Sequence, residues 1–408
     1  KIGGGNLKKL ASKANKRIDA DVDGDVDTHD PKSGEMGEFV PSADGKKKIK
    51  TKVQRESYHD WRQDLIEIID TGDMPQEKIK EKKVKNKVDI NPTIKLESAF
   101  EEMSLKLFHY QMENNPIYAQ YASLILKNKT PHNIFEIPFL PIDLFKKEQI
   151  ICKGKRIEGI FLSSGTTGEQ SKHLVSDISV YKQSYIKTFQ QFYGDINDYC
   201  ILALLPKYQE REGSSLIYMV DDLITKSQHP KSGFYLNDLT ELSQTIKELE
   251  QEGQKTILFG VTYALLDLAA EHPQHLKHTI IMETGGMKGK RKELLKEEIH
   301  QLLQEAFLTK DIHSEYGMTE LLSQAYSKGK NIFKSPAWMK IIIRDVNDPL
   351  TIMGDNKKGG INVIDLANIY SCPFVATQDL GTTFEDGTFS VLGRFSNADV
   401  RGCNLLIQ

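Results

Sequence analysis

No stretch of this sequence approaches the roughly 18 apolar residues that a membrane-spanning helix requires, so no span is expected. Cysteine is scarce. The four present, Cys152, Cys200, Cys372 and Cys403, show no C-x-x-C spacing, which argues against a zinc ribbon or a disulfide framework and suits a reducing, cytoplasmic setting. Charge of one sign is not in excess. The net charge of −3 gives no global reason to expect nucleic acid as a partner. No G-x-x-x-x-G-K-[ST] run exists, so a Walker A phosphate loop is absent. No internal repeat is visible. The chain opens on Lys1, and basic residues in 1–10 have no apolar core behind them, which does not read as a signal peptide.

What is present looks globular. Hydrophobic residues make up 39% and charged residues 27% of 408, and that length suggests two or three domains of about 150 residues each. Composition changes near residue 92. Before it the chain is polar, with basic runs such as Lys46-Lys47-Lys48, and too few large apolar residues to offset the entropy of ordering. This segment is expected to be largely disordered, with short amphipathic helices over 7–18 and 61–69 and loose linkers over 33–53 and 75–91.

From Pro92 onward, apolar runs alternate with amphipathic stretches. Helical spacing predicts helices over 94–113, 177–194, 236–251, 263–271 and 290–306. Extended segments are expected at 139–141 and 157–162, and strands at 199–205, 256–260, 278–283, 339–344 and 360–365. The alternation implies an α/β fold with mostly parallel sheet flanked by helices.

Three segments carry chemistry. Ser163-Ser164-Gly165-Thr166-Thr167-Gly168 follows an apolar run. Its glycines allow close backbone approach to an anion, and its hydroxyls and N–H groups can surround phosphate oxygens. Lys172 could add a positive charge beside them. The competing reading of that loop is a polar turn. Further on, Tyr316 can stack on a purine, Thr319 can meet a phosphate and Glu320 can hold Mg²⁺. Asp379 offers a carboxylate to ribose hydroxyls, and Gly393-Arg394 supplies a cation. Each segment alone is a common surface pattern; the three together, in this order, fit one nucleotide.

These blocks resemble the adenylate-forming superfamily of acyl-CoA synthetases, luciferases and nonribosomal-peptide adenylation domains. Within it the chain is most similar to the acyl-protein synthetase (LuxE-like) family. The narrower likeness rests on Phe108-His109-Tyr110-Gln111, Asn114-Asn115-Pro116-Ile117-Tyr118, Ile137-Pro138-Phe139-Leu140-Pro141 and the tail Arg401-Gly402-Cys403. It spans about 97–408.

The resemblance implies attack of a carboxylate, a fatty acid in this family, on the α-phosphate of ATP, giving acyl-AMP and pyrophosphate. It implies that Thr166, Thr167 and Thr319 contact phosphates, that Glu320 ligates Mg²⁺, that Gly285, Gly286, Tyr316, Gly317 and Asp379 hold the adenosine, and that Arg394 sits by the ribose. It also implies transfer of the acyl group to Cys403, or onward to an acceptor protein such as a reductase or carrier. A thiolate is a strong nucleophile and a thioester keeps the acyl group activated; the competing reading of Cys403 is a small core residue. Met287, Phe259 and Trp338 are candidates for the wall of the acyl pocket. Larger superfamily members add a C-terminal lid with a catalytic lysine. Only fourteen residues follow Arg394, so no lid is expected here, and Lys172 is a candidate substitute.

One motif stands apart. Asp19, Asp21, Asp23, Gly24, Asp25 and Asp30 follow EF-hand spacing, with aspartate where the last position prefers glutamate. This loop offers ligands to Ca²⁺; its competing reading is a solvated acidic run. Two other functions stay open at this level: an acyl-CoA ligase using free coenzyme A, and a Ca²⁺-binding protein on a decayed adenylation fold.

Overall fold

A computed structural model describes residues 39–41, 48–50, 92–163, 170–206, 213–285 and 294–395. The chain divides into two compact units, Lys1–Tyr58 and His59–Gln408. In the first, β1 (Phe39–Pro41) pairs antiparallel with β2 (Lys48–Lys50). The acidic loop at 19–30, the helices expected over 7–18 and 61–69, and most of both linkers lie outside the described residues.

The second unit begins its described part with two consecutive helices, α1 (Pro92–Asn114) and α2 (Pro116–Leu126). Asn115 breaks them apart: its side-chain oxygen caps α2 through the Tyr118 N–H, and Pro116 occupies the first turn, where no N–H is needed. The Asn115 amide also donates to Gln111 Oε1 (2.8 Å) and to the Ser371 carbonyl (2.7 Å), while Gln111 donates to the Ile369 carbonyl. Tyr118 donates to the Pro138 carbonyl. Gln111 and Asn115 therefore fasten the two helices to the 369–371 turn.

The core is one 13-stranded mixed sheet. Its parallel half runs β10 (His313–Tyr316), β9 (Thr279–Glu283), β8 (Thr256–Gly260), β6 (Cys200–Leu204) and β7 (Gly233–Phe234). Every residue of β6 and β8 is buried, the expected character of a parallel strand covered on both faces. Its crossover helices are α5 (Ser215–Ser227), α6 (Leu239–Glu252), α7 (Thr262–Glu271) and α8 (Lys296–Phe307); α4 (Ile178–Tyr193) leads into β6, and α3 (Leu144–Lys147) is a single turn. Asp177 and Asp238 cap α4 and α6, and Gly194 (φ 88°) and Gly253 (φ 70°) end them.

The sheet continues from β10 in antiparallel fashion through β11 (Ala325–Ser327), β12 (Ile332–Lys334), β17 (Phe389–Arg394), β16 (Phe374–Thr383), β15 (Lys358–Asp365), β13 (Met339–Arg344) and β14 (Ile352–Met353). The parallel expectation thus describes the half built from strand–helix alternation; beyond residue 316 the strands follow one another without crossover helices and pair antiparallel. Strand β3 (Leu140–Pro141) joins β16 in parallel, and β4 (Gly159–Leu162) pairs with β5 (Lys172–Val175) as a separate hairpin. No described helix is long and apolar enough to cross a membrane. Phe259 and Trp338 are fully buried, and the Trp338 indole donates to Ser184 Oγ (3.0 Å), so both serve the core rather than a pocket wall.

Candidate active site

The hairpin of β4 and β5 ends with Leu162 opposite Lys172. Beyond that pair, the Ser163 N–H donates to the Ser171 carbonyl (3.1 Å) and the Ser171 N–H to Ser163 Oγ (2.9 Å). These two serines close the root of the Ser/Thr/Gly loop; Ser164, Gly165, Thr166, Thr167 and Gly168 lie outside the described residues. Side chains along a strand alternate faces. Ser171 and His173 are accordingly buried, and Lys172 between them is exposed on the other face. The cation expected from Lys172 is therefore not brought to the cluster that forms on the buried face.

That cluster begins with Glu320, only 5% exposed, whose carboxylate lies beside the Ser171 side chain. Burial raises its pKa; the Ser171 contact and the Arg394 charge oppose the rise, and the neighbouring Asp379 adds to it. Glu320, Asp379 and Arg394 thus share one electrostatic neighbourhood at the root of the loop.

Asp379 sits on β16 with β17 alongside, Arg394 being its register partner. Its Oδ1 accepts from Arg394 Nε (3.1 Å) and its Oδ2 from the Tyr316 hydroxyl (2.9 Å). Both β15–β16 and β16–β17 shift register here, a β-bulge device that re-aims side chains at a strand end. Beneath Asp379, Thr377 Oγ1 accepts its N–H (3.1 Å), and the buried Arg344 holds the Thr377 and Ile361 carbonyls and Asn362 Oδ1. Tyr316 is 8% exposed, its ring packed edge-on against Phe333 and Phe389. With its ring almost wholly buried and its hydroxyl on Asp379, Tyr316 orients that carboxylate rather than lying open to a purine.

A second set of buried groups fixes the backbone that carries Thr319 and Glu320. His173 Nδ1 lies 2.8 Å from the Thr319 carbonyl and Nε2 lies 3.0 Å from Asn368 Oδ1. Burial lowers the His173 pKa to about 4, and both ring nitrogens face oxygens that only accept, so the neutral ring donates to one of them at a time. Asn368 donates to the Glu320 and Cys372 carbonyls, both at 2.9 Å. Asp365 accepts from the Leu322 N–H (2.7 Å) and the Ser323 hydroxyl (2.6 Å). Asn368→Ala removes three buried contacts at once. It is expected to destabilise the protein by about 2–3 kcal/mol and to depress turnover beyond that loss, read by thermal melting beside a kinetic assay. Wild-type rate in a destabilised variant would mean that Asn368 holds the fold but does not position Glu320.

Gly285 follows β9 with φ 78°; its N–H donates to Glu283 Oε1 (2.8 Å) and its carbonyl accepts from Thr262. Glu283 pairs in register with Ser314, so the chain at Gly285 runs beside Tyr316. Gly286 and Met287 lie outside the described residues. A side chain at Gly317 would collide with the Glu315 carboxylate. Of the cysteines, Cys152, Cys200 and Cys372 are free and buried, and desolvation pushes the first two to about 11 and the third higher. Thiols held protonated this way are poor nucleophiles. Cys403 lies outside the described residues.

Sequence reasoning finds Glu320, Asp379, Arg394 and Tyr316 from motif spacing. It misses Ser171, His173, Asn368, Asp365 and Arg344. For Arg344 a signal exists, a lone charge closing an apolar strand; the others are ordinary polar residues locally.

Comparison with solved structures gives the same architecture. The chain is similar to 2-hydroxyisobutyryl-CoA ligase in a postadenylation state with R3-HIB-AMP, at a TM-score of 0.54 and 10% identity over 73% of this chain and 68% of that one. An open conformation of that ligase, in complex with 2-HIB-AMP and CoA, gives 0.53 and 10% over 75% and 71%. ATP-bound MatB from Rhodopseudomonas palustris gives 0.46 and 16% over 58% and 48%, so the chain spans about half of MatB. No curated protein sequence matches the chain. The fold is that of the adenylate-forming enzymes. The profile of the acyl-protein synthetase family LuxE matches residues 95–408, more than three quarters of the sequence, and the chain belongs to that family.

Proposed function

We propose that this protein activates a carboxylic acid with ATP as an acyl-adenylate and passes the acyl group to a thiol. The observation that carries this reading is the meeting of Glu320 with Ser171 at the root of the Ser/Thr/Gly loop, with Asp379, Tyr316 and Arg394 alongside. A carboxylate oxygen of the acid attacks the α-phosphorus, the bond to the β-phosphate oxygen breaks, and pyrophosphate leaves. Then a thiolate sulfur attacks the acyl carbon, the bond to the AMP oxygen breaks, and the thiol proton goes to solvent.

Protein side chains do little covalent work in such a sequence; positioning and charge neutralisation supply the rate. Thr166, Thr167 and Thr319 hold phosphate oxygens in this reading, Gly285 and Gly286 line the adenine, and Asp379 accepts from the ribose with Arg394 at its edge. Glu320 fits as a Mg²⁺ ligand: a nearly dry carboxylate with one hydroxyl partner gains from a cation beside it. Mg²⁺ commonly relies on one or two carboxylates plus substrate phosphates. When bound, Mg²⁺ neutralises phosphate charge.

The acid is of the fatty class by family resemblance, the acceptor is Cys403 or a reductase or carrier protein, and the setting is cytoplasmic. The test is acid-dependent exchange of pyrophosphate into ATP across a panel of acids. Absence of exchange in folded protein overturns the reading. Hydroxylamine-sensitive acyl labelling is expected and should vanish in Cys403→Ala with exchange kept within about twofold. Label that persists removes Cys403 from the scheme. Product formation only on adding coenzyme A would favour the ligase alternative.

A further inference from the structure

Strand β10 sends Tyr316 toward Asp379 and Glu315 to the opposite face. The register partner of Glu315 is Tyr326 on β11. The Glu315 carboxylate lies over Gly317, where an added Cβ would also meet Gln324 Cγ at 3.4 Å. Gln324 is 4% and Tyr326 1% exposed, yet neither Gln324 Oε1 nor the Tyr326 hydroxyl has a hydrogen-bond partner among the described residues. Glu315 is half-buried, and desolvation together with the Glu283 charge pushes its carboxyl up to about 8.

Buried polar atoms in native proteins are almost always paired, so two unpaired ones beside a carboxylate on one face need a cause. Their chemistry states what would satisfy them. Gln324 Oε1 only accepts, while a phenol and a carboxyl held largely protonated at neutral pH can do either. The missing group must bring hydrogen-bond donors. Its place follows from chain geometry: Gly317 is two residues from Thr319, a reach of about 7 Å at most. If the nucleotide takes the Tyr316 and Asp379 side, the acid is left the Glu315 side, with its carboxylate turned toward Thr319.

We propose that the acid carries a hydroxyl or amino group within a few carbons of its carboxylate, held by Glu315, Gln324 and Tyr326. This rests on the adenylation reading and narrows its substrate class. An unbranched alkyl chain would cover these atoms with hydrocarbon and leave them unpaired, which a site built for a donor penalises heavily.

The test compares exchange supported by butanoate, 3-hydroxybutanoate and 3-aminobutanoate, with 2-substituted analogues alongside. Wild-type protein is expected to favour a donor-bearing acid over butanoate by tenfold or more in kcat/KM. Glu315→Ala, Gln324→Leu and Tyr326→Phe should shrink that preference to about threefold or less, read as the ratio of kcat/KM values within each variant. Loss of the amino preference chiefly in Glu315→Ala would identify an ammonium, and loss of the hydroxy preference chiefly in Tyr326→Phe a hydroxyl. Melting gives a second reading: Gln324→Leu and Tyr326→Phe delete unpaired buried atoms, so each should melt at or above wild type, and a marked drop would show a hidden structural partner and overturn the assignment. Exchange with unsubstituted acids alone, or a preference that none of the three variants alters, overturns this inference and spares adenylation. No exchange with any acid ends both.

Discussion

Replacing Glu320 by glutamine is expected to slow acid-dependent pyrophosphate exchange by about a thousandfold while the protein stays folded. Glutamine keeps the size and one acceptor oxygen of the side chain, so the contact with Ser171 can survive. What goes is the negative charge that a phosphate-bound cation would need. The sign of the stability change separates this from simple damage. Burial raises the Glu320 pKa, so the folded state prefers the neutral acid. The stabilisation from that preference is complete below the unfolded carboxylate pKa and is lost as pH rises through the higher folded value. At neutral pH the wild type therefore carries the cost of a buried charge, which Glu320→Gln removes. The variant should melt at or above wild type at pH 7, with a flatter dependence on pH above about 4. A folded variant with near-normal exchange would dissociate Glu320 from metal binding. A variant that is slow but also melts well below wild type would show that the carboxylate braces the fold.

The contrast between what sequence pattern reveals and what it hides follows from the range of each interaction. Strands β6, β8 and β9 are legible because burial on both faces demands unbroken apolar runs, as in 200–204 and 256–260. Strand β16 is the opposite case. It runs from buried Phe374 and Val375 into Thr377, Gln378, Asp379 and Gly381, because half of it serves the site, and the polar half disguises a ten-residue strand. Helix α5 follows Pro206 and a polar stretch that reads as loop, although Ile217, Val220 and Leu223 keep helical spacing and Ser214 caps it. At the site, Glu320 and Asp379 announce themselves through neighbours one to four residues away. His173 reaches Thr319 across 146 residues and Asn368 across 195, and no local pattern records a contact of that range. The masking of Ser171 by Lys172 has the same origin: residue type favours the lysine as the phosphate partner, and only strand pairing decides which of two adjacent side chains faces inward.

Asp379→Ala is expected to raise the KM for ATP by about a hundredfold and to erase discrimination between ATP and its 2′- and 3′-deoxy analogues. Asp379 is 6% exposed, its oxygens already take the Tyr316 hydroxyl and Arg394, and each carboxylate oxygen still has room for another donor. That leaves two further acceptor positions, the number a ribose diol requires. Truncation also strands the Tyr316 hydroxyl in a buried place, at a cost of about 1–3 kcal/mol, whereas Arg394, 77% exposed, loses little beyond orientation. Tyr316→Phe separates the two effects. It leaves the carboxylate in place but unoriented, so KM should rise by about tenfold or less and the deoxy discrimination should weaken without vanishing. The double variant should then be no worse than Asp379→Ala, because the tyrosine acts through the aspartate. An Asp379→Ala protein that still rejects the deoxy nucleotides as strongly as wild type would place the ribose elsewhere and break the link between β16 and the nucleotide.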